Sequence, residues 1–294
     1  MKKRILILAL AALVSFGGIA TAQDLGLTLG AEFGINNLSE FDEGMSLNFF
    51  FEYENNALVD NLDFMAGVAV PIAPLGTDDD VGVEFELYAD ALYRMDLDGG
   101  MVFGFGLELD IFSSNLTGDA DLVINFGFTP KARFEMEMAG LGDFYAQLEL
   151  PIFGINTDDT ELGMGLNLWA GLFMDMGFGI EAGLAGPSFG ETGGFIPSAG
   201  MDFGLGDGNE FSMGWFALKP SYTYEFLYAE LGVYIGLFEK AMDITGIIMI
   251  PRVEVDFTTI AVPGLTAWLE LPISGLGADG DNSIGLTIGA SYSF

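Results

Sequence analysis

The 294-residue sequence contains no cysteine and no histidine. Without cysteine there can be no disulfide, no thiolate metal site and no lipid-bearing cysteine after a leader. Without histidine, neither a Ser-His-Asp nor a Cys-His nucleophile arrangement can be built, and zinc sites of ordinary composition are excluded. A carboxylate pair could still hydrolyse a glycoside, but nothing singles out one pair among 43 acidic residues. The chain is therefore expected to be neither an enzyme nor a cofactor carrier.

Basic residues are also scarce. Lys and Arg total 9, and the formal net charge is −34. After residue 22 the bases are Arg94, Lys131, Arg133, Lys219, Lys240 and Arg252. Phosphate backbones are bound by clustered Lys and Arg, so no nucleic acid partner is expected. A third absence is a long apolar run. Beyond the N-terminus no stretch reaches the roughly 18 apolar residues of a membrane helix, although 51% of the chain is hydrophobic.

The N-terminus accounts for the only short apolar run. Lys2, Lys3 and Arg4 precede the apolar segment Ile5 to Val14, and Ala20-Thr21-Ala22 supplies small residues for cleavage. This pattern predicts a secretory signal peptide over 1–22, followed by one domain over 23–294.

Elsewhere the apolar residues fall at every second position. In 101–111, Met101, Phe103, Phe105, Leu107, Leu109 and Ile111 alternate with Val102, Gly104, Gly106, Glu108 and Asp110. Residues 81–93 alternate likewise, interrupted only by Tyr88 and Leu92. A helix would scatter such residues around its circumference, whereas a strand gathers them on one face. The same texture recurs at 25–35, 45–54, 62–72, 121–138, 143–152, 162–176, 178–186, 211–225, 227–238, 244–257, 264–274 and 284–294. Gly, Asn and Asp clusters separate these segments, as turns require.

An internal repeat gives the same strand number. LELPIFG at 148–154 returns as LELPISG at 269–275, with looser echoes at 68–74, 107–113 and 229–235. The unit is about 40 residues, the length of a hairpin with its loop and turn. Seven units give 14 strands, with 12 or 16 as alternatives. An extra hairpin at 195–205 would make 16.

Alternation alone does not say which face meets water. Most segments run 10–14 residues, longer than globular strands of about 5–6 and long enough to cross a bilayer when tilted. The polar face is rich in Gly and carboxylates. Tyr53, Tyr93, Phe144, Phe178, Phe257 and Tyr292 lie on the apolar parity towards one rim, like an interfacial girdle. The expected fold class is all-β, a transmembrane antiparallel up-and-down barrel with its apolar face in lipid.

The last residues, IGLTIGASYSF, alternate to the final atom. Phe294, preceded by Tyr292, Ala290 and Ile288 at every second position, resembles the C-terminal assembly signal of bacterial outer-membrane β-barrels. The resemblance implies the outer membrane of a diderm bacterium, outer-membrane lipid as surroundings and the barrel-assembly machinery as a partner. It names no subfamily.

The inward parity carries Glu84, Glu86, Asp90, Glu108, Asp110, Lys131, Arg133, Glu135, Glu149, Glu181, Glu230, Arg252, Glu254 and Glu270. A ring of carboxylates favours cations. The expected function is a porin-like channel for small hydrophilic solutes, preferring cations. The alternative is a surface barrel that binds ligands or serves as an adhesin or structural protein. The few bases are expected to pair with acids across the lumen. Inward glycines such as Gly104, Gly106, Gly163, Gly165, Gly285 and Gly289 are expected to leave space unfilled. Pro130 and Pro251, in TPKARFE and IPRVEVD, suggest bulges at a constriction. Among the outer loops, Asp78, Asp79, Asp80, Asp158 and Asp159 are weak calcium candidates, although no EF-hand spacing is present.

Overall fold

The computed structural model describes residues 26–35, 38, 45–56, 59–75, 82–114, 123–153, 163–185, 210–212, 215–236, 247–260, 262–276 and 282–294. The calcium candidates Asp78, Asp79, Asp80, Asp158 and Asp159, the leader 1–22 and the segment 195–205 lie outside them.

The alternating segments fold into fourteen strands. They are β1 (Leu27–Ile35), β2 (Met45–Asn55), β3 (Leu62–Leu75), β4 (Gly82–Val83, then Phe85–Leu97), β5 (Met101–Ser114), β6 (Val123–Met138) and β7 (Gly142–Glu149, then Ile152–Phe153). There follow β8 (Gly163–Gly165, then Asn167–Met174), β9 (Phe178–Ala185), β10 (Glu210–Ser212, then Trp215–Tyr224) and β11 (Leu227–Gly236). The sheet finishes with β12 (Ile247–Asp256), β13 (Leu265–Glu270, then Ile273–Leu276) and β14 (Ser283–Ile284, then Leu286–Ser293).

Each strand pairs antiparallel with the next, and β14 pairs with β1 from Thr28↔Ser293 to Ile35↔Leu286. The backbone N–H of Phe294 donates to the Leu27 carbonyl at 2.8 Å. The strictly alternating C-terminus is therefore the closing strand, and its pairing with β1 leaves no free edge at that seam. Among the described residues one local parallel contact exists, where Glu210–Ser212 reaches past β9 to Gly163–Gly165.

The interior is not an apolar core. On β5, Phe105 is 51% exposed on the outer face while Asp110 on the other parity is 3% exposed. Ile288 of the closing strand also points outwards, at 48%. This is the inside-out arrangement of a barrel whose outer surface is solvated by hydrocarbon. Every backbone group must then be satisfied within the sheet, and only closure does that. Aromatic pairs sit outside near the short-turn end: Tyr93 with Phe105 at 5.6 Å, Tyr53 with Phe64 at 6.5 Å and Tyr292 with Phe294 at 4.8 Å between centroids. Phe257 stands apart from this row, in a 3₁₀ turn (Phe257–Thr259) capped by Asp256.

The proline expectation needs correction. β5 and β6 keep an unbroken register from Met101↔Met136 to Ser114↔Val123, straight through Leu107↔Pro130. The interruption falls in the next strand instead. The N–H of Leu150 donates to the Pro130 carbonyl at 3.0 Å, and β7 breaks at Leu150-Pro151. Leu271 does the same to Pro251, and β13 breaks before Ile273. A strand can carry proline where its missing N–H costs only one ladder bond. The second proline of each pair, Pro151 or Pro272, is what stops the neighbour.

Candidate functional site

The polar parity encloses a cavity of about 1200 Å³. Glu84, Glu86, Asp90, Glu108, Asp110, Arg133, Glu149, Glu181, Glu230, Arg252, Glu254 and Glu270 line it. Lys131 and Glu135 face the same side through ion pairs, Lys131 with Asp90 and Glu135 with Arg94 and Arg133. A second compartment of about 560 Å³ opens towards the short-turn end between β10 and β12, with Lys219, Tyr228, Glu230, Arg252 and Glu254 among its walls.

The sequence suggested pairing across the lumen, but the ion pairs of Arg94, Lys131, Arg133 and Arg252 run along the wall. Arg252 on β12 takes Glu254 of its own strand at 2.8 Å and Glu270, its register partner on β13, at 2.9 Å. Arg133 takes Glu135 at 2.6 Å through Nε, and its Nη1 donates to Gln147 on β7 at 3.1 Å. Arg94 holds Asp63 on β3 and Glu135 on β6. Lys131 reaches over β5 to Asp90 on β4. Side chains on one face of a sheet meet their cross-strand and diagonal neighbours first, so the bore stays open.

Sequence reasoning missed the inward aromatics. Five of them, Phe50, Tyr88, Tyr145, Trp169 and Trp268, each face a glycine in direct register on the adjacent strand. The glycines are Gly30, Gly67, Gly171, Gly183 and Gly289 respectively. A Cβ at any of these glycines would collide with the ring. The rings therefore lie flat against the wall, as in aromatic rescue of sheet glycines. This overturns the reading of Gly289 as unfilled space, because Trp268 covers it. Gly104 and Gly106 are covered in the same way by Leu92. Gly285 is itself buried, and the surroundings of Gly163 and Gly165 lie outside the described residues.

Two of these rings make one motif. Tyr88 on β4 crosses Gly67 on β3 and donates its hydroxyl to Glu52 on β2 at 2.7 Å. Tyr145 on β7 crosses Gly171 on β8 and donates to Glu181 on β9. Cations lie over the rings as well. Arg133 sits 4.5 Å from the Tyr145 centroid, Arg252 5.6 Å from Trp268 and Lys219 5.1 Å from Trp169. Lys219, which was absent from the expected inward set, lines the cavity too. The visible signal for the aromatics was that Tyr88 broke the apolar parity of its strand.

Among the described residues no group of three acidic side chains converges to hold a metal. The arrangement is a water-accessible bore with a carboxylate-rich, aromatic-padded wall inside a closed fourteen-stranded barrel. That is the architecture of bacterial outer-membrane barrels. Similar solved structures include the Acinetobacter baumannii outer membrane protein Omp33, at 6% identity and TM-score 0.53, covering 92% of this chain and 98% of that one. The P. putida toluene transporter TodX is similar at 12% identity and TM-score 0.50, covering 95% of this chain and 92% of that one. No protein-family model and no curated protein sequence matches the chain.

Proposed function

We propose that this protein is a channel of the bacterial outer membrane that passes small hydrophilic solutes and prefers cations. The observation that carries the reading is the open bore of about 1200 Å³, lined by acids from strands all around the barrel. Arg133 and Arg252 in that lining are tied to carboxylates of the same wall and the acids outnumber the bases, so the net field is negative, and a low-dielectric wall focuses it on the bore. The fold shared with Omp33 and TodX, an outer membrane protein and a transporter by name, supports a channel in that membrane. On this reading residues 1–22 are the exported leader.

Single-channel recording in planar bilayers under a salt gradient tests the proposal. Discrete steps with a reversal potential on the cation side are expected. A folded barrel without conductance, or one selective for anions, would overturn it.

The reading extends to assembly. Ile288, Ala290, Tyr292 and Phe294 form the outward row of the closing strand and serve as the signal read by the assembly machinery. Phe294→Ala removes the terminal ring that packs on Tyr292 but keeps the backbone bond to Leu27. Insertion in cells should then fall severalfold, while refolding into detergent in vitro stays near wild type. Equal losses in both assays would reduce Phe294 to a packing residue.

A further inference from the structure

On β4 and β5 the lumen wall carries Glu86, Asp90, Glu108 and Asp110 within mutual electrostatic reach. One cation reaches them, the Lys131 ammonium, which sits on Asp90. Among the described residues Glu86, Glu108 and Asp110 have neither an ion pair nor a side-chain hydrogen bond. Asp110 is 3% exposed, and its Oδ1 is buried with no hydrogen-bond partner although the residue lines the cavity. Glu86 is 8% exposed. Gly127, in register with Asp110 on β6, provides the room, since a Cβ there would come within 3.2 Å of the carboxylate. Buried carboxylates left without donors are costly. A wall that keeps Asp110 in that state, with Glu86 buried beside it, is prepared for a donor that is not part of the chain.

The chemistry of that donor follows from the geometry. A divalent ion wants six or more oxygens in one shell, and no such convergence exists among the described residues. A guanidinium holds its donors in a rigid planar fork, and on the opposite wall Arg252 reaches two carboxylates set to suit it, Glu254 and Glu270, one from each terminal nitrogen. A primary ammonium carries three donors on a point charge and accepts separate, non-convergent carboxylates. The chain already seats one such group here, the end of Lys131, whose side chain is 9% exposed. We propose that the Glu86–Glu108–Asp110 patch beside the Asp90–Lys131 pair binds alkylammonium ions, in particular primary amines and short diamines, during their passage. The inference deepens the channel reading and rests on it for the word passage; the binding site itself does not.

The test uses 1,4-diaminobutane as probe and the whole protein. Calorimetric titration in detergent reads binding, and bilayer current reads block. Asp110→Asn should weaken both about tenfold, the loss expected for a hydrogen bond to a charged group. Asp98→Asn removes an equal charge in the exposed turn after β4 and should leave both within about twofold, because screened surface charges act weakly at distance. Tetramethylammonium, with no N–H to donate, should bind at least about tenfold more weakly than the diamine. If Asp110→Asn does not fold, Glu108→Gln carries the same expectation. Equal effects of the two cations, or of Asp110→Asn and Asp98→Asn, would mean a diffuse negative field and overturn the proposal. Conductance without any effect of the diamine would also overturn it and leave the channel standing. Asp110-dependent binding without conductance would uphold the site and remove the channel.

Discussion

On the β4–β6 side of the lumen, four carboxylates share the single ammonium of Lys131. On the β10–β13 side, Arg252 is held by Glu254 and Glu270, and Lys219 lies over Trp169 and Tyr234. That second side also carries a buried apolar cluster, Ala217, Tyr234 and Ile248 with Trp169 and Ile250 against it. The second wall sets its cations against carboxylates and rings; the first leaves Glu86, Glu108 and Asp110 without an ion pair among the described residues. Both are cut from the same repeat, since LELPI of β7 and LELPI of β13 place Glu149 and Glu270 opposite Lys131 and Arg252 respectively. The difference is local. Arg252 reaches its register partner directly, whereas Lys131 leaves Glu149 and crosses β5 to Asp90. Glu149 is instead bonded by Asn167 at 2.9 Å.

Breaking the cation on each wall should separate them most sharply. Lys131→Met keeps the apolar stem and removes the charge. It leaves Asp90, Glu86, Glu108 and Asp110 facing one another in a site where Lys131 was nearly buried. Removing one partner of a buried pair costs several kcal/mol, and about 3 kcal/mol is expected in equilibrium urea unfolding from lipid vesicles. High salt should recover part of it. Arg252→Met strips two carboxylates of their donor, but the arginine side chain is about one-third exposed. The expected loss is smaller, about 2 kcal/mol, in the range for hydrogen bonds to charged groups. A larger loss for Arg252→Met than for Lys131→Met would reverse the contrast drawn between the walls.

The barrel, its strand number and its inward parity were legible in the sequence because each is written in a local code. Period two, turn residues and a 40-residue repeat need no knowledge of which strand lies beside which. The pairs were not legible. Tyr88 meets Gly67, and Lys131 meets Asp90, through the stagger between strands, and register is set by turn geometry and burial together. Glycine on the inward face therefore looked like empty space. Its meaning depends on the residue opposite, which in five registers is an aromatic ring.

That seat can be tested at Gly67. Gly67→Ala puts a methyl under the Tyr88 ring and forces it off the wall. Overpacking of this kind costs about 1.5 kcal/mol, and the lifted ring should also lower single-channel conductance. Stability lost without a change in conductance would mean that the ring finds another place on the wall.

The smallest effect is expected where the ring stays and only its hydroxyl is lost. Tyr88→Phe keeps the stacking over Gly67 but removes the 2.7 Å bond to Glu52. The carboxylate then depends on lumen water for its donor, which is available because Glu52 also lines the cavity. The net worth of a hydrogen bond replaceable by water is about 1 kcal/mol. Urea unfolding should register that loss, with single-channel conductance within error of wild type. The double variant Gly67→Ala/Tyr88→Phe then apportions the motif. If the ring and the hydroxyl act as one unit across β2, β3 and β4, the double variant loses less than the two single losses together, because the methyl has already pulled the hydroxyl away from Glu52. Strict additivity would mean that the ring's seat and the hydroxyl's bond are independent, and the repeated Tyr–Gly–Glu crossing would be reduced to two contacts that happen to adjoin.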